Sequence, residues 1–287
     1  MSSKKEREPR VERRLRSAIA DRLGMTRRSV TLPRDFQGLA RGEHLALIYC
    51  DGNKVGDFIT TAVGHGVGPD TIAPAINNGT IDAVAEALVE MHREIPAMPI
   101  RAVPHILGGD DVQITVPASA AWAFTRHLLK SFSSRVPAEV GKDLAKGRGL
   151  PDISMSAGVV FFHRSTPMRD VLDLAEGQLR HAKQHVRGRE ASVAYLDIPA
   201  DGQEAPPTRR PYRIDDLDKW SELLDEVASI PPAQRATLLD LVRSNRHTEA
   251  RARARWAGHT CIDELESMEP AALDIRDQLE IARWWSQ

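Results

Sequence analysis

The segment that most restricts the fold is Gly108-Gly-Asp-Asp, which stands between two apolar stretches of strand length. The stretches cover residues 100–107 and 112–116, and each is typical of a β-strand. Glycine supplies the positive φ that a tight turn between antiparallel strands requires. The pattern therefore predicts a β-hairpin that carries Asp110 and Asp111 at its tip.

The elements around this hairpin define a topology. Strands are predicted over 44–50, 100–107, 112–116, 153–162 and 191–198, and helices over 54–63, 71–94, 118–132 and 168–185. Their order contains the unit β-α-β-β-α-β, which is the ferredoxin-like or palm topology. We therefore predict an α+β fold, with an antiparallel sheet, helices on one face of it, and an all-helical C-terminal region.

Composition divides the chain into four parts. Residues 1–43 hold 12 Lys/Arg against 6 Asp/Glu and are predicted to form a basic helix, from Glu6 to Leu23, and a connector. Residues 44–198 form the predicted palm, the proline-containing segment 199–213 is a predicted linker, and 214–287 is a predicted helical domain.

Cysteine content and hydropathy exclude several protein classes. Two cysteines, Cys50 and Cys261, cannot build a disulfide framework or a cysteine-based zinc site. No apolar run reaches the length of a membrane span, and the charged N-terminus lacks a signal-peptide pattern. We therefore expect a cytoplasmic protein with no membrane partner.

Three carboxylates are predicted to meet at one edge of the sheet. Asp51 ends the first strand, and Asp110 and Asp111 lie in the hairpin turn beside it. Carboxylates so placed repel one another unless a cation neutralises them. Aspartate oxygens without His or Cys favour Mg²⁺ or Mn²⁺, and the carbonyl of Gly52 is a further candidate ligand. Two such ions would bridge the triphosphate of a nucleoside triphosphate. The alternative is a plain hairpin turn, because Gly and Asp are common turn residues; Asp51 favours the metal site.

Four motifs in order carry a resemblance to a known family. They are Tyr49-Cys-Asp-Gly-Asn-Lys-Val-Gly, Leu107-Gly-Gly-Asp-Asp, Ser154-Met-Ser-Ala-Gly-Val-Val and Leu174-Ala-Glu…Ala182-Lys183. Together they resemble the palm of the CRISPR polymerase, the large subunit of type III CRISPR complexes, and the wider superfamily of GGDEF diguanylate cyclases. The resemblance covers residues 44–198. It implies a nucleotidyl cyclase that uses ATP and Mg²⁺ to make a cyclic oligonucleotide or dinucleotide messenger in antiviral defence.

The resemblance also implies roles for individual residues. Asp51, Asp110 and Asp111 match the catalytic metal ligands, and Lys183 matches the lysine that binds triphosphate oxygens. Gly108 and Gly109 belong to the nucleotide-binding turn. For Lys183 the alternative is a solvated helix face.

Three further residues are candidates for nucleotide binding. Asn53 and Lys54 begin a helix whose N-terminal amides would hold phosphate, although N-capping explains Asn53 equally well. Ser156 matches the strand beneath the turn, where a pure packing role is the alternative. Ile59 stands where diguanylate cyclases place the asparagine that reads guanine, so adenine is favoured by default.

The chain also departs from the full CRISPR subunit. It has no His-Asp dipeptide, no cysteine cluster and one palm in place of two. We therefore expect a small stand-alone member that forms a homodimer through the palm.

Other functions remain open at this level. The palm would serve as a nucleotide sensor or assembly subunit if it bound nucleotide without turnover, or as a template-dependent polymerase if it had a nucleic-acid groove. RNA or an effector protein would bind the basic N-terminal arm or the C-terminal helices, but a basic segment is more often only a solvated helix.

Overall fold

The computed structural model describes residues 10–39, 43–94, 100–143, 149–207, 209–268 and 273–285. Its strands are β1 His44–Asn53, β2 Val103–Gly108, β3 Asp111–Pro117, β4 Ser154–His163, β5 Ser192–Asp197 and β6 Tyr212–Arg213. Its first seven helices are α1 Arg10–Leu23, α2 Phe36–Leu39, α3 Val55–Gly64, α4 Pro69–Glu94, α5 Ala121–Val140, α6 Met168–Val186 and α7 Ile198–Asp201. The C-terminal helices are α8 Ile214–Ser229, α9 Pro232–Arg243, α10 His247–Trp256, α11 Cys261–Ser267 and α12 Ile275–Ala282.

The strands of the described residues form one sheet in the order β2-β3-β1-β4-β5-β6. Strand β1 lies at the centre and is antiparallel to both β3 and β4. This is the ferredoxin-like arrangement, so the α+β palm predicted from the sequence is confirmed. Strand β5 then joins β4 in parallel, and β6 pairs antiparallel with β5.

Helices cover both faces of the sheet. Alternate residues of a strand point to opposite faces, and Ile48 of β1 shares a cluster with α4 and α5. Leu47 packs instead with Val171 and Ala175 of α6. The expectation of helices on one face holds for α4 and α5 but not for α6. Because β4 and β5 are parallel, their connection must cross a face of the sheet. Helices α4 and α5 already occupy one face, so α6 crosses the opposite one.

The N-terminal helix packs on the palm with its apolar side. Leu15 and Ile19 of α1 are buried in the cluster that contains α4. Arg10, Arg13 and Arg14 are exposed on its outer side, so a role in binding an anionic partner stays a prediction. The predicted helix began at Glu6, and residues 6–9 lie outside the described residues.

The C-terminal helices share the hydrophobic core of the palm. Trp284 stacks on Phe161 with ring centroids 5.4 Å apart, and its indole nitrogen donates a hydrogen bond to Asp197 at 2.8 Å. Trp284 also lies 5.2 Å from the ring of His44, at the start of β1. The contact is therefore at the end of β1 opposite Asp51.

The predicted linker 199–213 contains part of α7 and all of β6. Its Arg209 is buried, forms ion pairs with Asp201 and Glu280, and lies 4.2 Å from the centre of the Tyr195 ring. The domain limits given above stay predictions. Within the described part of the chain, no helix has the length and apolar character needed to cross a bilayer.

Candidate active site

The first part of the site is an ion pair between β1 and α6. Asp51 lies next to the end of β1 and, like Leu47, faces α6. Lys183, in the last turn of α6, contacts the Asp51 carboxylate and donates a hydrogen bond to the Gly52 carbonyl at 3.0 Å. The two side chains are 29% (Lys183) and 33% (Asp51) exposed, so solvent and ligands can reach them. Burial lowers the pKa of Lys183.

The second part is the hairpin tip, which is tighter than predicted. Gly108 pairs with Asp111, so only Gly109 and Asp110 form the loop. Gly109 has φ +61°, the conformation that a two-residue hairpin loop with glycine first requires. The structure thus places Asp110 at the tip and Asp111 at the start of β3.

Gly52 lies between the two parts. A Cβ atom at Gly52 would lie 2.8 Å from a carboxylate oxygen of Asp110, so a side chain there would collide with the turn. Burial raises the pKa of Asp110, and the neighbouring charge of Asp111 raises it further, while a hydrogen bond from the Gly52 backbone lowers it. The pKa of Asp111 is also raised by burial. An added positive charge at this edge would therefore favour ionised carboxylates.

The oxygen atoms of this edge suit a hard cation. The Asp51 carboxylate and the Gly52 carbonyl already share one positive charge, the ammonium of Lys183. No three His, Cys, Asp or Glu side chains in the described residues are gathered closely enough to hold a metal ion. Mg²⁺, however, commonly takes one or two carboxylates and completes its shell with water and substrate phosphate. The donor set fits that ion class at Asp51 and Gly52, with Asp110 adjacent.

Asn53 and Ser156 are brought together, but inside the protein. Asn53 is 3% exposed and Ser156 is fully buried. The side-chain nitrogen of Asn53 lies within hydrogen-bond distance of three acceptors, the hydroxyls of Ser154 (2.9 Å) and Ser156 (3.0 Å) and the carbonyl of Glu190 (2.9 Å), and its two protons serve two of them at a time. Ser156 also contacts the Ser192 hydroxyl, which donates to the carbonyl of Ala182 beside Lys183. These bonds tie the end of β1 to the end of α6. Direct nucleotide contact by Asn53 or Ser156 stays a prediction.

Lys54 has a strained backbone at the rim of the site. Its φ is +56° at the residue that precedes α3, and its side chain is exposed. A left-handed conformation costs a non-glycine residue about 1–2 kcal/mol, and strain of this kind clusters at functional sites. Arg187, which directly follows α6, also has a positive φ and is exposed, and Arg189 is exposed as well.

Comparison with known proteins places the chain in a family. The family described as Cas10/Cmr2, second palm domain, matches residues 44–193, just over half of the chain. The chain belongs to this family. A comparison of this chain with curated proteins found no match.

Solved structures share the fold of this Cas10/Cmr2-type palm. Crystal structures of a Csm1-Csm4 cassette in complex with pppApA, with cA3 and with cA4 match with TM-scores of 0.55, 0.56 and 0.55. The sequence identities are 13%, 14% and 13%, and each match covers 85% of this chain. The chain spans only 36–37% of the length of those relatives. At this identity the likeness establishes the fold alone.

Sequence reasoning missed some of the residues that build the candidate site. Ser154, Ser192 and the Glu190 carbonyl were not among the candidates, although they hold Asn53 and Ser156. The available signal was polar serines at positions 154, 156 and 192 in otherwise apolar strands, because a buried hydroxyl needs a hydrogen-bond partner.

Proposed function

We propose that the chain is a Mg²⁺- or Mn²⁺-dependent nucleotidyltransferase that converts ATP to a cyclic oligonucleotide or cyclic dinucleotide signal in CRISPR-type antiviral defence. The observation that carries the proposal is the edge where Asp51, Lys183 and Asp110 meet around Gly52. Membership of the Cas10/Cmr2 palm family supports it. So does the presence of pppApA, cA3 and cA4 in the Csm1-Csm4 structures, which favours adenine nucleotides as the ligand class.

The acidic residues would hold the cation. Asp51, the Gly52 carbonyl and Asp110 are its ligands in this proposal, and Asp111 adds a carboxylate nearby. A divalent cation bound there supplies the charge that holds a triphosphate and stabilises its α-phosphate during transfer. Lys183 would give up Asp51 to that cation, since both bind the same oxygen atoms.

The basic residues and glycines would then act on the nucleotide. Lys183, once released, binds triphosphate oxygens, and Lys54 lies at the same end of β1 to contribute a second positive charge. Gly108 and Gly109 leave room for the nucleotide at the turn. In the transfer, a 3′-hydroxyl would release its proton to solvent water and its oxygen would bond to an α-phosphorus, while the bond from that phosphorus to the oxygen of the β-phosphate breaks and pyrophosphate leaves. A second nucleotide is needed, and a homodimer through the palm would supply it.

One observation favours a second function. Lys183 supplies a positive charge to the Asp51 carboxylate from within the protein, which would suit a palm that binds nucleotide and does not turn it over. In that case the chain is a sensor or an assembly subunit of a CRISPR-type complex.

Incubation with ATP and either Mg²⁺ or Mn²⁺, followed by mass spectrometry, separates the two functions. A cyclic product that is lost in Asp110→Ala supports the enzyme. Asp173→Ala is the matched control, because Asp173 is an exposed carboxylate on α6 and its loss should leave the product unchanged. Nucleotide binding without any product would support the sensor, and neither binding nor product would refute both.

A further inference from the structure

The hairpin tip is held from behind by helix α4. Asn77 accepts a hydrogen bond from the Gly109 amide through its side-chain oxygen, at 3.2 Å. Thr80, one helical turn later, donates from its hydroxyl to the Gly109 carbonyl at 2.7 Å. Both backbone groups of the first loop residue are therefore bound by one helix.

The Thr80 bond is more than the usual contact of a helical threonine. A threonine hydroxyl within a helix ordinarily bonds the carbonyl four residues earlier, and the Ile76 carbonyl lies 3.0 Å away. The hydroxyl has one proton, however, and the Gly109 carbonyl is closer. Thr80 is also fully buried, so no water competes for that proton.

The segment of α4 that supplies these bonds has low helix propensity. Asn77-Asn-Gly-Thr lies in the interior of the 26-residue α4, and all four residues are weak helix formers. Gly79 has a packing reason, since a Cβ there would lie 2.7 Å from the Cα of Val136 on α5. Asn77 and Thr80 each direct a side-chain oxygen to the turn, a contact that a stronger helix former such as alanine or leucine could not make.

The turn also packs closely against Gly52 of β1, so its position matters for the site. Asp110 follows Gly109 directly, and its carboxylate faces the Cα of Gly52 without room for a Cβ. A turn that moved toward Gly52 would collide with β1, and one that moved away would separate Asp110 from the Asp51 edge. The bonds from Asn77 and Thr80 to Gly109 resist displacement of the turn, the second movement included.

We propose that Asn77 and Thr80 are positioning residues that hold Gly109, and through it Asp110, in register with Asp51 and Gly52. The proposal rests on the proposed function for its effect on catalysis, but not for its effect on the turn. Neither residue touches the reacting atoms in this account.

The test compares Thr80→Val, Thr80→Ser and Asn77→Leu in the full chain. Valine keeps the shape of threonine and loses the hydroxyl, whereas serine keeps the hydroxyl. Hydrogen–deuterium exchange of the metal-free protein, read on peptides that span residues 107–112, should be about five-fold faster in Thr80→Val and in Asn77→Leu, as the loss of one hydrogen bond predicts. Thr80→Ser should exchange like the wild type, and peptides from β4 should not change in any variant.

A second readout tests the catalytic consequence. With ATP as substrate, Thr80→Val should need several-fold more Mn²⁺ for half-maximal turnover with little change in the KM for ATP, and Thr80→Ser should restore the wild-type requirement. Unchanged exchange at the turn in both Thr80→Val and Asn77→Leu would overturn the proposal, as would a serine variant as loose as the valine variant. If the wild type makes no product but the turn loosens as expected, the proposed function fails and the positioning role stands.

Discussion

Gly158 offers the sharpest structural prediction, because α6 crosses β4 directly above it. A Cβ atom at Gly158 would come closer than 3.0 Å to two backbone atoms of α6, the Ala175 carbonyl oxygen and the Leu179 amide nitrogen. Backbone cannot rotate away as a flexible side chain can. In Gly158→Ala, α6 must therefore move off the sheet by roughly 1 Å to restore ordinary contact.

The size of the effect follows from what α6 buries. Val171, Ala175, Leu179 and Ala182 form its buried side, and overpacking of such a contact typically costs about 1–3 kcal/mol. We expect the free energy of unfolding to fall by about 2–3 kcal/mol, since the obstruction is backbone. Lys183 lies one turn beyond Leu179 and would move off Asp51, and a misplacement of about 1 Å can cost roughly 100-fold in turnover.

Urea denaturation followed by circular dichroism measures the first effect, and pyrophosphate release from ATP measures the second. Gly177→Ala is the matched control, because Gly177 lies on the same helix and an added Cβ there meets nothing within 4 Å. It should stabilise the protein by up to about 1 kcal/mol through helix propensity. The reasoning is refuted if Gly158→Ala unfolds within about 0.5 kcal/mol of the wild type, a shift typical of a neutral surface substitution.

Three further predictions concern strain, charge and the C-terminal contact. Lys54→Gly should raise the melting temperature, because relief of about 1–2 kcal/mol of left-handed strain exceeds the entropy cost of glycine, about 0.5–1 kcal/mol. Nucleotide binding should weaken, since the lysine charge is lost. A lower melting temperature would show that the backbone of Lys54 is not strained. Asp110→Asn should raise the melting temperature of the metal-free protein at pH 7 and abolish turnover. Because the pKa of Asp110 is raised in the fold, native stability falls as pH rises from the ordinary value of 3.8 through the folded pKa. The increase in melting temperature of Asp110→Asn should therefore vanish below pH 3.8, where the wild-type carboxyl group is also neutral. An equal increase at all pH values would show that the raised pKa of Asp110 is not its cause. Arg209→Met should cost about 3–5 kcal/mol in denaturant unfolding, because it leaves the buried carboxylates of Asp201 and Glu280 without their cation, and a neutral result would show that the ion pairs contribute nothing net.

Local patterns made the central part of the fold predictable. The turn at 108–111 and the apolar strands around it are specified by neighbouring residues, and so is the order of elements that gives the palm topology. The position of α6 on the second face was not predictable in this way, because it depends on β5 pairing in parallel with β4. Strand β6 was missed for a related reason: two residues in a segment of linker composition pair only because β5 presents a free edge.

The candidate site shows the same division. Asp51 and Asp110 could be brought to one edge from strand order alone, whereas the partners of Asn53 lie 101 to 137 residues away in sequence. Lys183 was assigned to triphosphate, and the structure places it on Asp51 and the Gly52 carbonyl. The sequence around Lys183 does not specify this partner, because Lys183 reaches Asp51 only when α6 packs across β1.

The most direct test of the account measures pyrophosphate release from ATP as a function of Mn²⁺ concentration, in the wild type and in Lys183→Met. Because Lys183 occupies the oxygen atoms that the cation would bind, its removal should lower the Mn²⁺ concentration for half-maximal release while raising the KM for ATP. No Mn²⁺-dependent release from the wild type, or a Lys183→Met variant that needs more Mn²⁺, would contradict the account.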